Sequence, residues 1–400
     1  MPAYPRGQIV IKDQVGVYHC TSRCVRRAFL CGVDPLTHKN HEHRKGWIRD
    51  RLQHLASVFA IDICGYSVMS NHVHVIVRNR PDLVRDWTAE EIALRWKRLY
   101  PPRDETTGDP VEPTDSDVNM IASDPERVAK FRDRLSDLSW FMRCLNEPIA
   151  RKANREDGCK GRFWEERFDS QRLLDEAAIL TCSVYVDLNP IRAEIAKTPE
   201  EAEYTSAFDR IRSMLAARLE STPTGTPDPI EPPAGTLMNQ GSPSEQRRPD
   251  EWLCELTQQE GPGTNSEANP SPLPLPVEAG SPVVAATEDA PEVRPSRSGP
   301  DRAARASDQG YLPIPLENYL SLLDWTGRQL RATARGIIPA QLAPILERLG
   351  VNGDAWVDTV RNFGKMFKRA VGRRQSLAAL AARSGQAWFH GQRAAAIAFG

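Results

Sequence analysis

The stretch Asn71-His72-Val73-His74-Val75-Ile76-Val77 is the most informative part of this 400-residue sequence. We predict a strand over residues 72–77. Because successive side chains of a strand point to opposite faces, His72 and His74 share one face, while the valines between and after them point into the core. Two imidazoles one pleat apart can both reach a single metal ion, but imidazole accepts several first-row metals, so the pair does not identify the ion. The alternative interpretation is a pair of solvent-facing histidines.

The sequence before this strand contains three regular patterns. Residues 15–23 form a β-rich run, and residues 60–68 predict a strand that reaches the histidine strand through a tight turn at residues 69–71. An amphipathic helix lies between these two strands, because apolar residues recur there at helical spacing. Its apolar positions are Trp47, Ile48, Leu52, Leu55 and Phe59.

The sequence after the histidine strand begins with a polar, net acidic segment, about residues 78–133, which we interpret as an insertion. A helix follows, with a buried face at Leu135, Leu138, Met142 and Leu145. Residues 161–168 predict another strand, and a last helix starts at Asp175, a good N-cap residue. The order β-α-β-β-α-β, with one terminal helix, predicts an α+β, ferredoxin-like fold with an antiparallel sheet. Because that fold serves many functions, it identifies none by itself.

Composition divides the chain into three parts. Residues 221–310 contain 16 of the 32 prolines, and such a segment buries too little apolar surface to offset the entropy of ordering. We therefore predict a disordered, Pro-rich linker over residues 221–310. It would join a first domain over residues 1–220 to a small, basic, all-helical domain over residues 311–400, where apolar residues return at helical spacing.

Charge is distributed unevenly along the chain. Residues 1–80 and 311–400 each hold 12 basic and 5 acidic side chains, whereas the region between them holds 28 basic and 43 acidic ones. Two basic ends favour a polyanionic partner, although basic surfaces are also common without one. No apolar run of about 18 residues predicts a membrane span. The eight scattered cysteines favour a reducing, cytoplasmic location.

A second informative stretch is Val184-Tyr185-Val186-Asp187-Leu188-Asn189-Pro190-Ile191-Arg192. The apolar stripe of the preceding helix places Tyr185 at its edge and Asn189 one turn later on the same face. Pro190 cannot donate the next helical hydrogen bond and disfavours helical geometry at the residue before it. We therefore expect the helix to end or kink at Asn189, which leaves the amide available. The alternative interpretation is a tyrosine that caps a core and an Asn-Pro pair that only ends a helix.

Together the two stretches contain the groups that a metal-dependent phosphoryl transfer needs. Two histidines and an amide oxygen leave positions open on a hard metal ion, and a phosphate oxygen can take one of them. A tyrosine hydroxyl one helical turn from the third ligand can then attack the phosphorus that the metal polarises. The product would be a phosphotyrosine ester, which makes strand cleavage reversible. A hydrolytic nuclease needs no such tyrosine.

His72-Val73-His74 resembles the His-hydrophobic-His motif of the single-tyrosine HUH transposases. The longer stretch Met69-Ser70-Asn71-His72-Val73-His74 and the distant Tyr185-Val186-Asp187-Leu188-Asn189-Pro190-Ile191-Arg192-Ala193 are similar to the REP-associated tyrosine transposase branch. Gly161-Arg162-Phe163-Trp164-Glu165-Glu166-Arg167-Phe168 also resembles the Trp-containing strand that precedes the tyrosine helix there. The resemblance covers about residues 15–210. Compact members of that branch lack so long an insertion and any helical tail.

The resemblance implies a metal-dependent endonuclease and strand-transferase that acts on single-stranded and hairpin DNA with magnesium or manganese. It implies that Tyr185 is the nucleophile, that His72 and His74 are metal ligands, and that Asn189 is the third ligand. The tyrosine would attack a phosphodiester, leaving a 5′-phosphotyrosine link and a free 3′-hydroxyl, and a second 3′-hydroxyl would resolve that link. Monomer and homodimer both remain open, since some relatives complete each active site with the partner's tyrosine helix.

Basic and aromatic residues near these motifs are candidates for DNA contacts. Arginines are suited to phosphates and a tryptophan ring to an unpaired base, with surface charge and core packing as the alternatives. The candidates are Arg23, Arg26, Arg27, Arg162, Trp164, Arg167 and Arg192. A further group of C-terminal cations predicts either extra phosphate contacts or a solvated helical face. It consists of Arg361, Lys365, Lys368, Arg369, Arg373 and Arg374.

We therefore predict a transposase-like enzyme that cleaves and rejoins single-stranded DNA through Tyr185 and a divalent metal, in DNA transposition. One alternative is a nickase of the relaxase or replication-initiator type, but the sequence has no phosphate-binding loop of the kind that their helicase modules carry. The other alternative is a catalytically silent DNA-binding regulator derived from a transposase. Both histidines and the tyrosine are present, so nothing in the sequence indicates such decay.

Overall fold

The computed structural model describes residues 9–25 apart from residue 12, and residues 30–33, 38–221, 248–257, 304–331, 339 and 342–400. Arg26, Arg27 and most of the predicted linker lie outside the described residues. Among the helices of the described part, none has the length and apolar character needed to cross a bilayer.

The described residues form a mixed α+β fold. The strands are β1 (Gly16–Arg23), β2 (Ile61–Val68), β3 (His72–Asn79), β4 (Asp169–Leu173) and β5 (Ala370–Val371). The helices of the first part are α1 (His43–Val58), α2 (Pro81–Asp86), α3 (Ala89–Leu99), α4 (Asp115–Ala122), α5 (Pro125–Leu135), α6 (Leu138–Glu156), α7 (Glu176–Asp187), α8 (Asn189–Arg192) and α9 (Ser206–Ser221). The later helices are α10 (Leu316–Arg331), α11 (Ala343–Arg348), α12 (Trp356–Met366), α13 (Arg374–Arg383) and α14 (Gln392–Phe399).

The sheet has the strand order β2-β3-β1-β4-β5. β1 pairs antiparallel with both β3 and β4, and β3 pairs antiparallel with β2. These four strands therefore have the order and directions of a ferredoxin-like sheet, and the predicted fold class is confirmed. The two-residue strand β5 adds to β4 in parallel, an extension that the sequence did not predict.

The sheet separates two apolar clusters, which we name the α1/α6 face and the α7 face after the helices that cover them. Val73, Val75 and Val77 point to the α1/α6 face. Ile76 of the same strand points to the α7 face, together with Val17 of β1. The alternation predicted for residues 72–77 is confirmed, because every second side chain of an extended strand shares a face.

The segment predicted as an insertion folds into α2, α3, α4 and α5 and extends the α1/α6 face. Its apolar side chains join that cluster, among them Ile92, Leu99, Ile121, Val128 and Phe131. The insertion therefore packs on the opposite side of the sheet from α7. Its predicted start was early by two residues, because residues 78 and 79 belong to β3. The helix predicted from residue 135 instead begins at residue 138, after Asp137 caps it.

The strand predicted over residues 161–168 is wrong. The strand beside β1 is β4, which begins only at residue 169, and the predicted segment makes an isolated bridge between Trp164 and Cys24. Phe163 and Phe168 explain the error, because both lie in the α1/α6 cluster although they are five residues apart. An odd spacing would place them on opposite faces of a regular strand, so burying both requires an irregular path.

Two stretches of the predicted linker take defined positions, contrary to the prediction of disorder for those residues. Residues 248–257 lie along the outer edge of β2, where Leu253 forms a bridge with Ile63 and the Cys254 amide donates to the Ile63 carbonyl. Covering this edge satisfies backbone groups that would otherwise be exposed to pairing with another chain. Residues 304–310 are held by Arg78, which donates to the carbonyls of Gln309 and Gly310.

The C-terminal segment packs directly on α7. Buried residues of α10, α12 and α13 belong to the same apolar cluster as the buried side chains of α7. Asp175, which caps α7 through the Ala178 amide as predicted, also accepts hydrogen bonds from the Arg373 amide and the Ser376 hydroxyl at 2.7 Å each. The domain boundaries at residues 220 and 310 stay predictions.

Candidate active site around Tyr185

The histidine pair lies on the α7 face of β3. In the strand register His74 is opposite Thr21 of β1, and His72 is opposite Arg23 at the end of the same strand. The two imidazole rings lie edge to face, with centroids 4.7 Å apart. His74 is buried, and His72 is half-buried. The sequence-based prediction that both rings share one face is confirmed.

Tyr185 is placed beside this pair by the last turn of α7. The helix is long enough to cross the sheet, and all its residues except Glu176 and Tyr185 are buried. The Tyr185 ring meets the His74 ring edge to face, with centroids 5.7 Å apart. The fold therefore brings together two side chains that are separated by more than a hundred residues along the chain.

Asn189 follows the break in the helix that Pro190 was expected to cause. α7 ends at Asp187, and the short helix α8 begins at residue 189, so this expectation is confirmed. Asn189 is buried, and its Nδ2 has no hydrogen-bond partner among the described residues. Its Oδ1 lies 3.5 Å from a terminal nitrogen of Arg192, whose guanidinium carbon is 4.7 Å from the centroid of the Tyr185 ring.

A third histidine belongs to the cluster, and the sequence analysis missed it. His19 lies on β1, with its ring stacked on His74 at 5.0 Å and edge-on to Tyr185 at 6.1 Å. Its Nε2 is 2.8 Å from Nδ1 of His74, and its Nδ1 is 2.9 Å from Oε1 of Gln171 on β4. The alternation of β1 contained the signal, because His19 shares a face with Val17. The pairing of β1 with β3 was needed to place it beside His74.

All three imidazoles are held in the neutral form near pH 7. Burial lowers the pKa of His19 to about 4. Burial, with the nearby charge of Arg23, lowers the pKa of His72 to about 4. Burial lowers the pKa of His74 further below its usual value, and His19 and His72 add to this effect. A neutral imidazole keeps one nitrogen lone pair, which is the form that binds metals.

The donor set fits a divalent metal. Nε2 of His74 is buried and has no hydrogen-bond partner among the described residues, which is costly for a polar atom unless a ligand satisfies it. The unpartnered end of the Asn189 amide is also costly. Rotating the amide by half a turn would place its oxygen there, at the expense of the 3.5 Å contact with Arg192. Two imidazoles and an amide oxygen are ligands that several first-row ions accept.

The C-terminal helix α12 forms one wall of the site. Phe363 lies against the Tyr185 ring with centroids 5.1 Å apart. A Cβ atom built on Gly364 would lie 3.1 Å from the Tyr185 hydroxyl, so the glycine leaves room for that group. Arg192 of α8 connects the tyrosine region to α12, because it donates to the carbonyl of Arg361 at 2.8 Å. Nothing in the sequence indicated that this helix reaches the tyrosine.

The predicted DNA-contacting residues are in different environments. Arg23, Arg162 and Arg167 are exposed, and Arg162 donates to the Glu165 carbonyl. Trp164 is half-buried, and its indole N–H donates to the Asn146 carbonyl, which favours the packing interpretation for that residue. Among the C-terminal cations, the exposed ones are Arg361, Lys365, Lys368 and Arg374. Arg361 and Lys365 lie in α12, the helix that contacts Tyr185, Lys368 lies just beyond it, and Arg374 begins α13.

A second group of ligand-type side chains lies on the other side of the sheet. Donor atoms of His41, Glu156 and Asp157 all lie within 4.8 Å of one another. Both carboxylates, however, are paired with the buried guanidinium of Arg44, and His43 also contacts Glu156. Because Arg44 already compensates these charges, we interpret the group as a structural ion pair between α1 and α6.

Comparison with known proteins gives little further information. No protein-family model and no curated protein sequence matches this chain. One solved structure is similar to it, a REP-associated tyrosine transposase bound to a REP hairpin. The identity is 14% over 53% of this chain and 87% of that chain, with a TM-score of 0.31. A likeness of this size does not fix a function.

Proposed function

We propose that this chain is a transposase-like endonuclease and strand-transferase that cleaves single-stranded DNA through a covalent link to Tyr185, with a divalent metal. The observation that carries the proposal is the contact between Tyr185 and His74, whose buried Nε2 has no partner among the described residues. A tyrosine beside a neutral histidine pair, one member of which has a free ring nitrogen, is an arrangement that suits metal-assisted nucleophilic attack on phosphorus.

The proposed reaction conserves atoms and charge. The Tyr185 oxygen forms a bond to the phosphorus of a phosphodiester, and the bond from phosphorus to the 3′-oxygen breaks. The hydroxyl proton leaves to solvent, and the departing 3′-oxygen takes up a proton. The product is a 5′-phosphotyrosine ester and a free 3′-hydroxyl. A second 3′-hydroxyl reverses these steps and rejoins the strand.

Each side chain of the site has a defined part in this reaction. His72, His74 and Asn189 hold the metal, which supplies Lewis acidity at a phosphate oxygen when bound. Arg192 places a positive charge over the Tyr185 ring, which favours the approach of the anionic backbone. Phe363 packs against the ring and helps to position it.

The DNA backbone would approach along the exposed cations near the site. Arg23 lies opposite His72 in the sheet register, and the exposed cations of α12 lie on the other wall of the site. Contacts to phosphates of this type give affinity without sequence choice. The net acidic insertion packs on the α1/α6 face, so its charge does not lie between these two walls.

The test is a trapping experiment with the full chain. Labelled single-stranded hairpin DNA is incubated with the protein and Mn²⁺, and the products are separated on a denaturing gel. We expect a covalent adduct with the wild type and with Tyr100→Phe, a control that removes a half-exposed hydroxyl of the insertion. We expect none with Tyr185→Phe or with a His72→Ala/His74→Ala double variant.

The same gel separates the alternatives. An adduct that survives Tyr185→Phe would move the nucleophile elsewhere and overturn the proposal. DNA binding by fluorescence anisotropy, without any adduct over a series of hairpins and metals, would favour the catalytically silent regulator. Circular dichroism of each variant shows that loss of the adduct is not loss of the fold.

A further inference from the structure

A chain of hydrogen bonds connects the C-terminal segment to the imidazole ring of His74. The Gln171 amide nitrogen donates to the Phe367 carbonyl at 2.9 Å. Oε1 of the same amide lies 2.9 Å from Nδ1 of His19, and Nε2 of His19 lies 2.8 Å from Nδ1 of His74. The chain begins at an atom 196 residues away from Gln171 in sequence. It ends inside the proposed metal site.

The direction of every bond in this chain follows from its first member. A backbone carbonyl can only accept, so the Gln171 amide must turn its NH₂ toward Phe367 and its oxygen toward His19. That oxygen can only accept, so the proton of the neutral His19 ring is on Nδ1. The Nε2 of His19 is then an acceptor, and the neutral His74 ring must carry its proton on Nδ1. Its Nε2 is left with the lone pair.

We propose that Phe367, Gln171 and His19 form a relay that fixes the Nδ1–H tautomer of His74 and keeps its Nε2 free as a ligand atom. The tautomer follows from the hydrogen bonds of two neutral rings, whereas its use in binding metal rests on the proposed function. Hydrogen bonds from a ligand histidine to a second group fix its orientation and tautomer in many metal sites. Here the second group is the imidazole of His19, and the acceptor at the other end of the chain of hydrogen bonds is the Phe367 carbonyl.

His19 is therefore a positioning residue, because both of its ring nitrogens already have partners. It cannot bind the metal without breaking one of these bonds. Thr21 provides a weaker alternative for His74, with its hydroxyl 3.1 Å from Nδ1. A hydroxyl can donate as well as accept, so Thr21 alone does not select a tautomer. The relay removes this ambiguity.

The first test reads the tautomer in the metal-free protein. Long-range proton–nitrogen NMR spectra of protein labelled with ¹⁵N-histidine distinguish protonated from unprotonated ring nitrogens, and His74→Asn identifies the His74 signals. We expect an unprotonated Nε2 and a protonated Nδ1 at His74 in the wild type. In His19→Phe we expect a mixture of both tautomers, because Thr21 is then the remaining partner of His74. In Gln171→Leu we also expect a mixture, because nothing then fixes the tautomer of His19.

Two further variants make the test specific. Gln171→Glu keeps an acceptor for His19 and, at a pH where the His19 ring is neutral, should retain the wild-type tautomer at His74, although it loses the bond to Phe367. His390→Phe removes an exposed histidine outside the relay and should change nothing. A structural defect alone would not produce this pattern, since Gln171→Leu and Gln171→Glu alter the same packing but differ in hydrogen bonding.

The second readout is Mn²⁺ affinity, measured from the free-ion signal in electron paramagnetic resonance. We expect His19→Phe and Gln171→Leu to weaken binding by about tenfold, as is usual for partners of ligand histidines. A protonated Nε2 in the wild type, or an unchanged tautomer in both variants, would overturn the relay. A wild type with the expected tautomer but no Mn²⁺ binding would confirm the relay and overturn its role in metal binding, together with the proposed function.

Discussion

The two faces of the sheet are built from the same strands but carry different polar groups. On the α1/α6 face, the valines of β3 are sealed by α1, α6 and the insertion, and the buried charge of Arg44 is compensated by two carboxylates. On the α7 face, the same strands present His19, His72 and His74, and Nε2 of His74 has no partner among the described residues. Under the proposed function, the α7 face carries the reacting groups, whereas the α1/α6 face only stabilises the fold.

The largest expected effect comes from comparing alanine substitutions of one histidine on each side of the sheet. His74→Ala removes a proposed ligand, and we expect adduct formation to fall about 10³-fold, since Lewis-acid assistance contributes several kcal/mol. His54→Ala removes a histidine of α1 whose pKa is also lowered to about 4 by burial, and it should leave the adduct rate unchanged. Quantitative gel trapping measures both. Equal losses of adduct formation in the two variants would contradict the proposal that only the α7 face takes part in the reaction.

The sequence allowed the histidine pair and the end of α7 to be predicted, but not the residues that complete the site. The period of two in β3, the cap at Asp175 and the break at Pro190 are local signals, and they correctly predicted the face of the histidines and the end of α7. His19 was missed because its role depends on which strand pairs with which. The strand at residues 161–168 was wrong because a local run of aromatic residues does not reveal which cluster each ring joins.

The contact of α12 with Tyr185 was also beyond local reasoning. Phe363 and Gly364 lie in an ordinary amphipathic helix, and only long-range packing brings them to the tyrosine. A Pro-rich stretch separates the two parts in sequence, which favoured independent domains. Buried apolar residues of α7 and α12 belong to one cluster.

The dependence of stability on pH is the next effect in size. His19, His72 and His54 have folded-state pKa values lowered to about 4, whereas the unfolded chain protonates them near 6.5. Between pH 6.5 and 4 the unfolded state therefore binds more protons, and the free energy of unfolding falls as pH falls. Each such histidine contributes up to about 1.4 kcal/mol per pH unit in that window.

Urea unfolding at pH 7, 6 and 5 measures this dependence. We expect a shallower decline for His19→Phe than for the wild type, because one of the buried neutral rings is gone. His390→Phe, which removes an exposed ring, should follow the wild type. A wild-type stability that is flat between pH 7 and 5 would show that these rings are not held neutral by the fold.

A smaller effect is expected when two helical glycines, one on each side of the sheet, are replaced by alanine. Gly46→Ala in α1 meets no atom within 4 Å and should stabilise the protein by about 0.5–1 kcal/mol without changing activity. Gly364→Ala in α12 should leave stability nearly unchanged but displace the Tyr185 hydroxyl and slow adduct formation. Thermal unfolding and gel trapping on both variants provide the comparison. An adduct rate unaffected by Gly364→Ala would show that this wall does not position the tyrosine.

The smallest expected effect concerns DNA affinity. Replacing the exposed lysines 365 and 368 by alanine should weaken DNA binding, and it should reduce the salt dependence by about 0.7 in the log–log slope for each phosphate that the protein no longer neutralises. Lys130→Ala, on the exposed surface of α5 in the insertion, is the matched control and should leave the slope unchanged. Fluorescence anisotropy over a range of salt concentrations gives both slopes. Identical slopes in all proteins would place the DNA elsewhere.

The central claim is that the hydroxyl of Tyr185 becomes bonded to DNA, and peptide mapping of the trapped adduct tests it most directly. Trypsin cleaves after Arg172 and Arg192, and Tyr185 is the only tyrosine in the peptide between these sites. After digestion of the DNA by nuclease, tandem mass spectrometry should find a nucleotide phosphate on Tyr185 in this peptide. A nucleotide attached to any other residue, or a trapped adduct in which this peptide is unmodified, would contradict the account.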